Sequence, residues 1–230
     1  MSNSTSIFKN LSLTQTLFRK RFNEKKTHEK KDSNTIYVTD LLYCPLKPQL
    51  REQFKELAYA EAYNPSTLQG SLIHDSIERI LSEELNAEVE VPIIKEIRIG
   101  DQVYTIVGRA DAIKDNAIIE IKTSKSDIGI PRLEHILQLR IYINMLNHNP
   151  FWNKRLTQNG TFYGILLYIT PDRITEFYID NGINEDELSE LVQDFLYQRK
   201  TPKHEWECKF CVFAKVCPHK VITSEGKDAS

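Results

Sequence analysis

No stretch of this sequence approaches the roughly 18 uncharged apolar residues that a membrane-spanning helix needs, and the polar start Met1-Ser-Asn-Ser-Thr lacks the apolar core of a signal peptide. A cytoplasmic protein with no membrane contact is therefore expected. Charge of one sign is lacking too: 30 Lys and Arg stand against 32 Asp and Glu, for a net −2. Bulk positive charge cannot hold a nucleic acid here, so any such contact must come from local patches. Cysteine is scarce, at four in 230 residues. Without a secretory signal, these four argue for metal ligation or inert thiols and against a disulfide framework. Internal repeats and long linkers are missing, and the length suits one domain, or one domain with appendages, able to bury a core.

What is present centres on Val107 to Lys122, V-G-R-A-D-A-I-K-D-N-A-I-I-E-I-K. Apolar and β-branched residues on both sides of Lys114-Asp115-Asn116 predict a β-hairpin with Asp115 and Asn116 as its loop. In that register residue i faces residue 231 minus i, so Asp111 lies opposite Glu120, with Cβ atoms about 5 Å apart. Lys122 projects from the same face. Like charges placed opposite each other destabilise a strand pair, so these acids call for solvent or a cation between them. Hard Mg²⁺ or Mn²⁺ prefers such oxygen ligands, and the lysine could orient a water or stabilise the pentavalent phosphate. An ordinary solvated hairpin face is the competing reading.

Residues 1–35 carry eight Lys and Arg against three acids and read as a basic, flexible extension. The alternative is a short amphipathic helix on Leu13, Leu17, Phe18 and Phe22 that contacts nucleic acid or a partner. Thr39 is a candidate N-cap for a short helix that Pro45 interrupts, leaving Cys44 at its end. Helices are expected within Leu50 to Ala62 and Thr67 to Leu85. In the second, Ile73, Ile77, Ile80 and Leu81 share one face while Gly70, His74 and Glu78 run along an adjoining strip. His74 reads either as a satisfied structural histidine or as a third metal position. Glu88 to Ile99 alternates as a strand that Pro92 assigns to an edge, and Gly100-Asp101 turns into Gln102 to Ile106. Pro131 to Leu146 is helical, with Gln138 and Tyr142 on one face, a pair able to bind base or phosphate or to cap a polar sheet edge. Thr161 to Ile169 and Arg173 to Ile179 form a second hairpin, and Asn184 to Tyr197 an acidic amphipathic helix. The sum is α/β, a mixed sheet flanked by helices.

Near the end, Cys208, Cys211 and Cys217 form C-x2-C-x5-C followed by Pro218, a spacing that wraps three thiolates around one centre. Cys44 is the remaining cysteine able to complete it. Four thiolates suit Zn²⁺ and a [4Fe-4S] cluster equally. Lys200, Lys203, Lys209, Lys215 and Lys220 are interleaved with Trp206, Phe210 and Phe213, a mixture that holds a phosphate backbone and stacks bases, or shields the centre.

Together, Gly70-x3-His74, Asp111, Glu120-Ile-Lys122, Gln138-x3-Tyr142 and the four cysteines resemble the PD-(D/E)xK nuclease superfamily. More narrowly, they resemble its RecB-like exonucleases with an iron-sulfur cluster, especially the CRISPR-associated exonucleases of spacer acquisition. The resemblance implies a restriction-endonuclease-like nuclease domain over residues 36–220, with 1–35 as the extension and 221–230 as a polar tail. It implies that His74, Asp111, Glu120 and the Ile121 carbonyl bind Mg²⁺ or Mn²⁺, that Lys122 is catalytic, and that Gln138 and Tyr142 support the active site and DNA. Cys44, Cys208, Cys211 and Cys217 would hold the [4Fe-4S] cluster and join the N- and C-terminal segments. The implied activity is DNA exonuclease, on single strands and 5′ to 3′, trimming spacers beside the CRISPR adaptation integrase. A viral or stand-alone recombination nuclease and a non-catalytic DNA-binding scaffold are the alternatives. One departure is Leu46 directly after Cys44-Pro45, where the family often has a basic residue; Lys47 follows.

Overall fold

A computed structural model describes residues 12–27, 32–156 and 160–221. Its strands are β1 (Thr35–Tyr37), β2 (Glu88–Ile99), β3 (Gln102–Lys114), β4 (Ala117–Thr123), β5 (Tyr163–Ile169) and β6 (Ile174–Ile179). Its helices are α1 (Leu13–Thr27), α2 (Val38–Leu42), α3 (Lys47–Gln53), α4 (Lys55–Ala60), α5 (Pro65–Leu85), α6 (Leu133–Asn147), α7 (Pro150–Asn153), α8 (Glu185–Leu196) and α9 (Glu207–Phe210). The six strands form one mixed sheet, ordered β1-β3-β4-β5-β6 with β2 also on β3. β4 and β5 run parallel, so a crossover must join them, and α6 supplies it.

Helices cover both faces of the sheet. On one face, Leu139, Ile141 and Leu146 of α6 and Leu188 and Val192 of α8 pack with Ile106, Ile118 and Leu166. Each such fully buried side chain contributes about 2 kcal/mol of transfer free energy. On the other face, Ile77 and Leu81 of α5 cover Ala112, Ile119 and Ile121. β4, buried on both faces from Ala117 to Ile121, reads as the continuous apolar run such a position demands, with Glu120 as its exception. A third cluster, Leu46, Leu50 and Phe213, packs against Cys44, Cys211 and Cys217.

The mixed sheet, the edge position of Pro92 in β2 and both hairpins agree with the expectations from sequence. Several boundaries differ for local reasons. β3 is not among these: it runs unbroken from Gln102 into the Asp111 stretch, giving the three antiparallel strands expected there. The helix cap before Asp40 is Tyr37, not Thr39; the Tyr37 amide donates to Asp40 Oδ2 at 3.2 Å. The helix expected over Leu50 to Ala62 starts at Lys47 and breaks at Phe54, whose side chain turns in to join the cysteine-side cluster. α5 begins two residues early because the Asn64 side chain caps it and Pro65, at the first position, has no amide to satisfy.

Within the N-terminal extension, residues 13–27 are helical, the alternative weighed from Leu13, Leu17, Phe18 and Phe22. The rings of Phe18 and Phe22 lie 5.6 Å from Tyr63 and 5.0 Å from Tyr59. Arg21 donates to Ser71 and Lys20 pairs with Asp75, so α1 is tied to α5 beside His74. Residues 1–11, 28–31 and most of the expected polar tail, 222–230, lie outside the described residues.

Candidate active site

The β3–β4 hairpin has the register expected from sequence, with Ala112 opposite Ile119, Ile113 opposite Ile118 and Lys114 opposite Ala117. The ladder then stops one pair short of Asp111 and Glu120. In place of a backbone partner, the Ile121 amide donates to Asp111 Oδ2 at 2.6 Å. On the other edge of β3 the pairing with β2 also skips Asp111, and Glu90, its counterpart there, has φ +53. The acids are therefore not a flat cross-strand pair, because the Asp111 carboxylate occupies a position in the ladder and opens it. That opening makes room for side chains from α5.

His74 and Glu78, one turn apart on α5, reach into it. His74 Nδ1 lies 3.5 Å from Asp111 Oδ2, and one ligand atom from each of His74, Glu78 and Asp111 falls within 4.8 Å of the others. Gly70, one turn earlier, lets the helix approach β4: a Cβ there would sit 3.1 Å from Thr123 Oγ1. Glu78 is absent from the ligand set implied by sequence, although its strip with Gly70 and His74 was the available signal.

Glu120 is buried. Its Oε1 accepts from Lys122 Nζ at 2.6 Å, while its Oε2 has no hydrogen-bond partner. An orphaned buried carboxylate oxygen costs on the order of 1–3 kcal/mol or more. Burial pushes the Glu120 carboxyl upward in pKa, with nearby Asp111 adding to the effect against the pull of Lys122. Glu78 is raised to about 7 by burial, then by Glu90 and Asp111. Burial alone would lower the pKa of Lys122 and of His74. The charges of Glu120 and Asp111 on the lysine, and the hydrogen bond and charge of Asp111 on the histidine, outweigh it and raise both. Burial is the largest cause for Glu120 and Glu78, and neighbouring carboxylates, a local deficit of positive charge, push all four upward. A divalent cation among His74, Glu78, Asp111 and Glu120 Oε2 would fill that deficit, so these residues fit one.

Lys122 also donates to Gln138 Oε1 at 3.0 Å, and Gln138 Nε2 donates to the Tyr142 hydroxyl at 3.1 Å. That hydroxyl donates to the Arg109 carbonyl at 3.1 Å and accepts from the Arg109 amide at 3.3 Å. Gln138 and Tyr142 are both buried. Their polar groups are engaged with Lys122 and the Arg109 backbone, an arrangement in keeping with support of the site. His135, not singled out in the sequence, has its pKa pushed down to about 3 by burial, then by Lys122 and Arg132. It meets the Tyr168 hydroxyl, which also accepts from the Arg132 amide at 3.0 Å.

Cys44, Cys208, Cys211 and Cys217 all line one cavity, with Lys47, Glu207 and Lys220. Burial raises the thiol pKa of Cys44 and Cys211. The four sulfurs are spaced more widely than the His74, Glu78 and Asp111 ligand atoms, which form the only group within 4.8 Å of one another among the described residues. Glu207, unremarked in the sequence, joins the two cysteine-bearing segments: its buried carboxylate accepts from the Cys44 amide at 2.9 Å and the His204 amide at 3.1 Å.

Against known proteins, residues 83–218 match the family model of the PD-(D/E)XK nuclease superfamily. The chain is 40% identical over 214 residues to the CRISPR-associated exonuclease Cas4 of Saccharolobus solfataricus, an alignment covering 91% of this chain and 99% of that protein. The crystal structure of SSO0001 superposes with a TM-score of 0.83 at 40% identity, covering 92% of this chain and 99% of that one. No helix among the described residues is long and apolar enough to cross a membrane.

Proposed function

This chain belongs to the PD-(D/E)XK nuclease superfamily and is a homologue of Cas4 exonuclease; from that premise we propose that it is a divalent-metal-dependent DNA exonuclease. It digests single strands from the 5′ end, trimming DNA for CRISPR spacer acquisition beside the adaptation integrase. The observation that carries the reading is Glu120, buried with one oxygen on Lys122 and the other without a partner, next to the His74, Glu78 and Asp111 group.

In this reading His74, Asp111, Glu120 and the Ile121 carbonyl hold Mg²⁺ or Mn²⁺, and Glu78 adds a carboxylate to the same space. When bound, such an ion lowers the pKa of water and polarises the phosphate. The protein's own part is positional. Lys122, protonated and held by Glu120 and Gln138, presents a fixed positive charge where the attacked phosphate gains negative charge. Asp111 holds the Ile121 backbone by its amide, which aims the Ile121 carbonyl and the Glu120 side chain on either side of it.

The four cysteines are assigned to one [4Fe-4S] cluster. Four thiolates suit zinc as well; the cavity that all four line would house either centre, and the resemblance to the cluster-bearing exonucleases favours iron and sulfur. Its role is structural, closing the N-terminal segment onto the C-terminal one.

Incubating 5′- and 3′-labelled single strands with Mn²⁺ tests the enzyme assignment. The wild type is expected to shorten strands from the 5′ end, and Asp111→Ala and Glu120→Ala to remove that activity while remaining folded. Full activity in both variants refutes the site, and a wild type inert with Mn²⁺ and Mg²⁺ refutes the nuclease reading.

A further inference from the structure

The lysines and aromatics of the C-terminal segment do not act as one patch. Phe213 is fully buried against the cysteine-side core, Lys200 is engaged by Asp194, and half-buried Lys203 donates to the Leu41 carbonyl. Trp206 is different. It is 42% exposed, and it sits in a row of three rings. The His204 ring lies nearly parallel to it at 5.8 Å and 12°, and the Tyr43 ring meets it edge-on at 6.5 Å and 86°. Tyr43, half-buried and one residue before Cys44, is the inner end of the row. Lys47 Nζ stands 5.4 Å from the Tyr43 ring centre.

The row is rigid for a stated reason. Glu207 holds the backbone next to Tyr43, at Cys44, and the backbone of His204 itself. Its two ends are therefore fixed relative to one another by one buried carboxylate, in the wall of the cysteine cavity. Glu207, which pairs with Lys47, is buried, while Glu205 between His204 and Trp206 is exposed and Lys47 itself is half-buried.

We infer that Tyr43, Trp206 and His204 form a stacking platform for the unpaired bases of a single-stranded substrate, with Lys47 beside its backbone. The inference rests on the nuclease reading above and names the path by which its substrate lies. A duplex hides its base faces in its own stack, so the platform selects single strands, and stacking on aromatics is tolerant of sequence. It also gives the cysteine centre a second consequence, since the loop it anchors carries Tyr43 and the segment it closes carries Trp206.

The chain has two tryptophans, and the other, Trp152, is buried. Trp206 fluorescence in a Trp152→Phe protein therefore reports the platform directly. In chelator, where no strand is cut, oligo-dT is expected to quench it and a blunt duplex of equal length to leave it unchanged. By anisotropy in the otherwise native chain, Trp206→Ala should bind oligo-dT roughly tenfold more weakly, the effect of about one stacked base, and Trp206→Phe should retain most of the affinity. Unquenched Trp206 at saturating strand, or equal affinities for wild type, Ala and Phe variants, overturns the platform. If that occurs while the wild type still cuts DNA, the nuclease reading stands; a wild type that neither binds nor cuts DNA removes both.

Discussion

Gly108 is the residue on which Lys122, the lysine proposed to be catalytic, indirectly depends. A Cβ at that position would lie 2.3 Å from Tyr142 Cε1 and 3.1 Å from both Tyr142 Cζ and Val38 Cγ2, whereas non-bonded carbons settle at about 3.5–4.0 Å. In Gly108→Ala the Tyr142 ring must retreat by about 1 Å, and it has little freedom to do so. The ring is 2% exposed, and its hydroxyl is held by Gln138 and by both backbone groups of Arg109. Overpacking of this kind costs about 1–3 kcal/mol, and breaking the hydroxyl's contacts leaves buried polar groups unsatisfied at about 1–3 kcal/mol more. A loss of about 2–6 kcal/mol is expected from urea unfolding.

Turnover should fall with it, because Gln138 bridges Tyr142 and Lys122. Shifting that bridge by about 1 Å is expected to lower kcat by roughly 10²-fold at saturating metal. Truncating the ring separates this account from general damage. In a Tyr142→Leu background the ring clash is gone and only the 3.1 Å approach to Val38 Cγ2 remains, so Gly108→Ala should cost at least about 1 kcal/mol less there, a coupling typical of touching residues. Equal costs in the two backgrounds refute the steric argument. A destabilised Gly108→Ala protein with unchanged kcat refutes the link from Tyr142 to Lys122.

Lys122→Ala should lower turnover by orders of magnitude and leave divalent-ion affinity unchanged or slightly improved, since an ammonium cannot ligate a cation; calorimetric loss of metal binding with cleavage retained contradicts that role. With its folded pKa raised to about 7, Glu78 must release a proton to a metal below that pH. Apparent Mn²⁺ affinity should therefore rise between about pH 6 and 8, and lose part of that slope in Glu78→Gln, the rest coming from Glu120 and His74, whose pKa values are raised as well. For the metal-free protein the same shift means that the folded state holds a proton the unfolded state has lost, so the Glu78 contribution to stability declines as pH rises from its unfolded value near 4.5 to about 7. A metal affinity flat across that range rejects the assignment. Anaerobically purified protein should be brown, with absorption near about 400 nm bleached by dithionite, as zinc cannot be. Cys44→Ala should lower stability by loosening both terminal segments, and a colourless protein with stoichiometric zinc and no iron defeats the cluster.

The parts of the fold legible in the sequence are those whose cause is local. The β3–β4 register follows from a two-residue loop in which Asp115 takes φ +53, a conformation the Asx side chain tolerates. α8 begins just after Asn184 because Asn184 and Glu187 cap one another, each accepting the other's amide at 2.8 Å. The illegible parts depend on distant partners. Nothing local places β1 and β4 along the same edge of β3, or sets α1 against Tyr59 and Tyr63. The site divides in the same way. Asp111, Glu120 and Lys122 lie within one hairpin and could be read from its alternation. Glu78 and Glu207 take their meaning from what tertiary packing brings to them, as an ion-binding neighbour in one case and two backbone amides in the other.

The burial of Glu120 and Lys122 also says which variants are informative. A buried ion pair adds little net stability, because desolvating two charges offsets their attraction, but losing one partner strands the other. Glu120→Ala leaves Lys122 with Gln138 alone, and Lys122→Ala leaves both Glu120 oxygens unpaired beside Asp111. Either single change can therefore destabilise the metal-free protein for reasons unconnected with chemistry. Replacing both by uncharged residues of similar shape, Glu120→Gln with Lys122→Met, removes the pair without leaving a stranded charge. If the pair is kept for catalysis, this double variant should be at least as stable as either single variant while remaining inactive. A double variant less stable than both single variants would mean instead that the pair holds the sheet together.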